Sequence, residues 1–235
     1  FVDVDRKGLI SKLPVPVLPD ALVYVNLFGN LADYDRLKQY CDKYRIPLIE
    51  DAAQSLGSYY GKTPSGKLGD VSTLSFAPTK PLPCFGNGGM VLTDNESERD
   101  LIRSLRYHAV GTGKLSYGYN SCLSNDHANV LNFLLSKYKS LLDKSKKVRQ
   151  WYTSKLDDMG ISSIETGANT TSNNHKFVIR TLDRDGLKAF LESKGVQTQI
   201  HYKQPMSNMK MFDTGQEMPN AERFCQDVLS LPIHP

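Results

Sequence analysis

Lys80 closes the run Ser75-Phe76-Ala77-Pro78-Thr79-Lys80, and Gly86-Asn87-Gly88-Gly89 follows shortly after it. Hydroxyls, an amine and glycines that let backbone amides approach an anion are thus gathered in one stretch of chain. A lysine in a partly desolvated loop loses its proton more readily than one in water, and the free amine can attack a carbonyl carbon to give a Schiff base. Most lysines are solvated surface groups; the neighbours of Lys80 set it apart. A phosphate-bearing aldehyde cofactor suits such a region. That cofactor also needs a carboxylate beside its ring nitrogen, to keep the nitrogen protonated while the ring accepts electrons. Asp51 or Glu50, which end the apolar stretch from Ile46 to Ile49, can supply it.

These groups need elements to hold them. Residues 21–28, ALVYVNLF, form an apolar run bounded by Pro-Asp and Gly-Asn, as expected of a buried strand. Leu31, Tyr34, Leu37, Tyr40, Cys41 and Tyr44 then recur at spacings of three and four, with charged residues between them, which predicts an amphipathic helix. A second strand at 46–49 makes the segment strand, helix, strand, and so a right-handed crossover in a parallel sheet. Both carboxylates then stand at the strand's carboxyl end, the edge at which open parallel sheets bind ligands.

Further strands are expected at 71–77 and 90–93, separated by an irregular Pro- and Gly-rich loop, and a helix at about 96–107. From Val130 to Leu156 apolar residues keep a helical period over about nine turns, long enough to bridge two domains. Beyond Gly160 the pattern changes to a compact alternation, with a strand at 176–181, a helix at 184–194 and a strand at 196–202. The domain boundary falls near residue 145.

Of the 235 residues, 40% are hydrophobic and 23% charged, which describes a globular chain and excludes collagen, disorder and a disulfide scaffold. The net charge of +4 is interspersed rather than gathered into a basic stripe, so nucleic acid is not expected as a partner. No apolar run approaches the roughly 20 residues that span a bilayer. No membrane association is expected, and the chain reads as cytoplasmic. Cys41, Cys84, Cys122 and Cys225 are scattered without a C-x-x-C pair and read as buried free thiols, not metal ligands. Phe1 opens directly into FVDVD and the chain stops at LPIHP, so the sequence reads as a fragment truncated at both ends.

EDAAQSLGS at 50–58, GKLGD at 66–70, SFAPTK at 75–80, GNGGMVLTD at 86–94 and GYNS at 118–121 together resemble the DegT/DnrJ/EryC1/StrS family of pyridoxal-phosphate-dependent sugar aminotransferases. The resemblance runs from FVDVD through NNHKFVIR and QTQIHY to LSLPIHP, effectively the whole chain. It implies an α/β fold of the aspartate-aminotransferase type. Residues 1–145 would be part of a large, mostly parallel-sheet domain that includes the start of the linking helix, and 146–235 an incomplete, smaller α+β domain. It implies that Lys80 forms the Schiff base with pyridoxal 5'-phosphate, that Asp51 partners the pyridine nitrogen, that Gln54 lies near the phenolic oxygen and that Ser75 binds the phosphate. Asn120 would reach the phosphate in the neighbouring subunit's site, which implies a homodimer with shared active sites. His201 matches a histidine near the substrate region. The substrates implied are a keto sugar, nucleotide-linked, and an amino-acid donor, glutamate.

Departures from the pattern accompany the matches. Family members begin earlier, with a Ser-Gly-Thr phosphate turn and an aromatic residue that stacks on the ring. Pro81 stands where Asn is usual after the lysine, and Cys122 where Arg or Lys follows GYNS. With those elements missing, the 235 residues alone are expected to bind the cofactor weakly. Related sugar dehydratases replace the lysine, so Lys80 argues against that activity. A truncated, non-catalytic homologue kept for binding or assembly is the alternative. A nucleotide-binding oxidoreductase is set aside because no G-x-G-x-x-G follows a predicted strand.

Overall fold

The structure, a computed structural model, describes residues 2–3, 13, 17–111, 117–212 and 215–234. Most of FVDVD, the stretch 112–116 and Pro235 lie outside the described residues. The element order is β1 (Leu22–Val25), α1 (Tyr34–Tyr44), β2 (Leu48–Asp51), β3 (Tyr59–Tyr60), β4 (Thr63–Pro64), β5 (Val71–Ser75), β6 (Gly89–Thr93), α2 (Glu96–Arg106), α3 (Asn125–Asp157), β7 (Thr170–Thr171), β8 (Phe177–Arg180), α4 (Arg184–Ser193), α5 (Pro219–Asp227) and β9 (Val228–Leu231).

The main sheet has the order β1-β2-β5-β6, parallel except for β6, which pairs antiparallel with β5. This is the mostly parallel α/β sheet expected. Asp33 caps α1 by accepting from the Arg36 N–H, and the buried Leu37, Tyr40 and Cys41 turn the helix's apolar stripe onto Tyr24, Ile46, Leu48 and Leu68. That packing buries one face of the sheet. The opposite face is open: Val23 is 63% exposed, and Val25 and Val91 are each 44% exposed.

Helix α3 runs for 33 residues, about 50 Å at 1.5 Å per residue, with Ser124 as its N-cap. Its first half packs Leu131, Leu134, Tyr138 and Leu142 against Phe76, Leu82 and Cys84. Its second half sends Tyr152 and Leu156 to Phe177, Ile179 and Leu229, in the core shared with the β8-β9 hairpin. Tyr152 stacks on Phe177 with ring centroids 4.8 Å apart.

Three expectations need correction. The first strand stops at Val25 instead of Phe28, because Asn26 turns inward to Glu50, Phe28 bonds to Gln54, and residues 27–29 form a 3-10 turn. Residues 196–202 do not form a strand. Val196 N–H is spent on the Leu191 carbonyl at the end of α4, and only Gln199 bridges to Ser230. Cys122 is exposed, with its thiol facing the Arg106 carbonyl, whereas Cys41, Cys84 and Cys225 are buried; all four are free.

Candidate active site

Register decides which of the two adjacent acids is available. Successive strand residues point to opposite faces, and Glu50 turns to the covered face, where it is fully buried. Its carboxylate accepts from Asn26 Nδ2, Ser65 Oγ, Gly66 N–H, Leu68 N–H and Ser72 Oγ at 2.7–3.0 Å. Five donors leave it no capacity for a ligand, so Glu50 is excluded as the ring partner. The GKLGD run exists to build this clasp. Gly66 takes a positive φ of 97° to present its N–H, Asp70 accepts from Leu48 N–H at 2.8 Å, and a Cβ on Gly69 would sit 2.6–2.9 Å from three backbone atoms of the strands.

Asp51 turns the other way, to the open face. One carboxylate oxygen accepts from Ala53 N–H at 3.0 Å; the second has no protein donor among the described residues. Asp51 pairs with Thr73, two residues before Ser75, so Ser75 shares that face at the end of the adjoining strand. The Ser75 hydroxyl accepts a long bond from Ala77 N–H at 3.4 Å and donates to no acceptor among the described residues.

Lys80 lies in the loop beyond β5. Lys80 N–H donates to the Ala77 carbonyl, Cys84 N–H to Phe76, and Phe76 N–H to Gly88, which folds the loop back on itself. Packing around Gly88 is tight: a Cβ there would meet Cys84 Sγ and Leu123 Cδ1 at 3.0 Å. Lys80 is half-buried and pairs with no carboxylate among the described residues.

Gln54 is buried, and both ends of its amide are placed. Oε1 accepts from Phe28 N–H at 2.8 Å and Nε2 donates toward the Tyr202 hydroxyl at 3.3 Å. This brings the Ile200-His201-Tyr202 segment to the same edge. His201 Nδ1 lies 2.9 Å from Ser230 Oγ, and burial with the Lys176 charge pushes its pKa down to about 4.

Sequence reasoning passes over Asn173, His175 and Lys176. Asn173 is buried, and its amide donates to the Gln54 and Leu56 carbonyls at 2.9 and 2.8 Å while its Oδ1 accepts from His175 N–H. His175 feels burial first, then the fields of Lys176, Lys80, His201 and His234, which together hold its pKa near about 3. Burial and the Lys80 charge also push the Lys176 ammonium down. The available signal was a polar Asn-Asn-His-Lys stretch abutting the apolar Phe177-Val178-Ile179 strand.

Asn120 stands apart from this group. It is exposed, bridged to Tyr107 just beyond α2, and its neighbours Tyr119 and Ser121 bond back to Leu105 and Arg106. Among the described residues no cluster of His, Cys, Asp and Glu could hold a metal ion, and no helix is long and apolar enough to cross a membrane.

Comparison with known proteins adds the decisive observation: the sequence pattern of the DegT/DnrJ/EryC1/StrS aminotransferase family matches residues 15–235. The chain belongs to that family. Among its relatives is the UDP-2-acetamido-2-deoxy-3-oxo-D-glucuronate aminotransferase of Pseudomonas aeruginosa, 32% identical over 248 residues, covering 100% of this chain and 68% of that protein. A DegT/DnrJ/EryC1/StrS aminotransferase from Brucella abortus superposes with a TM-score of 0.91 at 30% identity, over 100% of this chain and 68% of its own. The S. venezuelae DesV structure in complex with a ketimine intermediate gives 0.87 at 33% identity, over 93% of this chain and 62% of its own. The chain therefore spans about three-fifths to two-thirds of the length of the family members it matches.

Proposed function

We propose that the protein is a pyridoxal-phosphate-dependent aminotransferase that moves an amino group from an amino acid, glutamate, to a keto sugar carried on a nucleotide. The observation that carries this reading is the family match over residues 15–235, supported by Asp51 and Ser75 on the open face of adjoining strands and by Lys80 in the loop that follows. The donor set fits the cofactor: an amine for the aldehyde, an acid for the ring nitrogen and the Ser75 hydroxyl for the phosphate. Bound there, pyridoxal phosphate supplies an electron sink for charge developing at the donor's alpha carbon.

The residues divide the remaining work. Asp51 would hold the proton on the ring nitrogen, with Ala53 N–H fixing the carboxylate's orientation. Gln54, locked by Phe28 and Tyr202, would present its amide near the phenolic oxygen. Lys80, once released from its covalent link, would take the alpha proton from the donor and return a proton to the product, a base and acid role its free amine can fill. His201 would lie beside the substrate as a neutral imidazole.

Two further parts belong to this reading. The division into two domains near residue 145 is supported by Leu142 and Tyr152 on α3 packing into separate apolar clusters. A homodimer with shared sites, placed in the cytoplasm, is part of the same reading; the exposure of Asn120 beside Tyr107 and Tyr119, which are 56% and 59% exposed, supports the shared site. A non-catalytic homologue is not favoured, since Lys80, Asp51, Gln54 and Ser75 are all present and the relatives are named for amino transfer.

Borohydride reduction after addition of pyridoxal phosphate, followed by peptide mapping, tests the proposal. Label on Lys80, absent from Lys80→Ala, is the expected result. A folded chain that takes no label at that position would sink the assignment.

A further inference from the structure

Both ends of the Gln54 amide are taken, and their order is forced. The side chain is only 6% exposed. Phe28 N–H can only donate, so the amide must turn its oxygen toward it, at 2.8 Å, and its nitrogen the other way. There Nε2 meets the Tyr202 hydroxyl at 3.3 Å, across 148 positions of chain. An amide nitrogen carries two hydrogens. One is spent on Tyr202, and the second has no acceptor among the described residues. A donor left over on a buried side chain is uncommon and marks a place for a further acceptor.

Tyr202 can hold that nitrogen because it is itself held. Gln199 and Ser230 exchange backbone bonds at 3.1 and 2.8 Å, which fastens the segment to β9. Ile200 packs against the cluster of Phe177, Ile179 and Leu229. His201 Nδ1 lies 2.9 Å from the Ser230 hydroxyl, and the His201 and Tyr202 rings meet edge-on with centroids 5.5 Å apart. The segment is thus a bracket built on β9 that ends at the Gln54 amide beyond β2. A glutamine's terminal torsion is broad, so a single bond at the oxygen would leave the nitrogen free to swing.

We propose that Tyr202, seated on this bracket, is a positioning residue: it fixes the Gln54 amide so that the remaining N–H points at the cofactor's phenolic oxygen. This inference deepens the aminotransferase reading and rests on it. Tyr202 acts through Gln54 and needs no contact of its own with the cofactor. Phenylalanine in its place keeps the ring beside His201 and removes only the acceptor.

Tyr202→Phe, Gln54→Met and the double variant are compared with the wild type as full chains. Three readouts are taken: hydrogen exchange at Phe28 N–H without cofactor, affinity and band position of added pyridoxal phosphate from visible absorbance, and borohydride label at Lys80. In Tyr202→Phe the Phe28 N–H should exchange about threefold or more faster, since its acceptor is no longer held at the far end. Cofactor affinity should fall about threefold to tenfold, and the visible band should move because a hydrogen bond to the ring system has been altered, with the label still on Lys80. In the Gln54→Met background the same tyrosine change should cost less than about twofold, because no amide remains to be positioned. Should Gln54→Met fold poorly, Gln54→Glu keeps an acceptor for Phe28 N–H, removes the amide hydrogens and gives the same comparison.

Unchanged Phe28 exchange, unchanged cofactor affinity or an unmoved band in Tyr202→Phe overturns this inference alone. A loss of affinity equally large with and without Gln54 also overturns it, assigning Tyr202 to direct contact with the cofactor or to the fold. A wild-type chain with no label on Lys80 overturns the aminotransferase reading together with this one.

Discussion

Glu50 and Asp51 differ by one methylene and one position, yet five hydrogen-bond donors surround the first while the second keeps an oxygen open. The difference comes from the pleat, since one acid faces the layer under α1 and the other the exposed sheet face. A similar separation of roles is found at His175 and Lys176, where burial favours a neutral imidazole. The His175 pKa is held near about 3, against 6.5 for an exposed imidazole. Between those values the unfolded chain binds a proton that the folded chain refuses, so stability rises with pH through this window and is complete above about 6.5. Between pH 7 and about 4.5 the wild type should therefore lose on the order of 2 kcal/mol more than His175→Gln, measured by urea unfolding at each pH. Burial sets this value first, followed by the charges of Lys176, Lys80, His201 and His234. Parallel curves for the two proteins would show that the imidazole titrates freely.

Helix α1 illustrates how an element can be legible and still hold a defect. Its apolar period, Asp33 cap and downstream Ile46 made it readable. What the sequence does not announce is that Arg45, at the C-cap, takes the left-handed conformation at φ 56°. That conformation carries a steric penalty for any residue with a Cβ, and the exposed Arg45 side chain makes no ion pair among the described residues. Arg45→Gly should raise stability by about 0.5–1 kcal/mol, read as a higher urea midpoint with an unchanged slope. No gain would mean that the guanidinium makes a contact offsetting the strain. Elements defined by periodicity were readable within a few residues: α2, α3, β5 and β8. The antiparallel direction of β6 was not, because strand direction depends on a loop path that no local pattern encodes. Residues 196–202 misled for a related reason. Val196, Thr198 and Ile200 alternate as a strand should, but the flanking helix end and the Ser230 contact claim the backbone and side-chain groups that a ladder would need.

At the scale of the molecule, the candidate site residues are drawn from the sheet edge and from the segments around the β8-β9 unit. The residues that join them are far apart in sequence, which is why Asp51, Ser75 and Lys80 could be read together while Asn173 and Tyr202 could not. Phe28 inserts among Ile164, Val178 and Val228, and Tyr202 reaches back to Gln54, but Asn173 is the most connected joint. Its N–H donates to Ser58 Oγ, whose hydroxyl donates onward to the Gly29 carbonyl, and its amide closes on Gln54, Leu56 and His175. Gly29 must lack a side chain for this to fit, since a Cβ would lie 1.8 Å from Asn173 Oδ1. Asn173→Ala would leave the Gln54 carbonyl and the His175 N–H without their partners in a buried setting, at a cost of about 2–4 kcal/mol. Hydrogen exchange should localise the effect, with faster exchange at Phe28, Ser58 and Lys176 N–H and little change within α1. A loss below about 0.5 kcal/mol, or protection lost evenly across the chain, would show that apolar packing around Phe28 holds the two parts together without this polar joint.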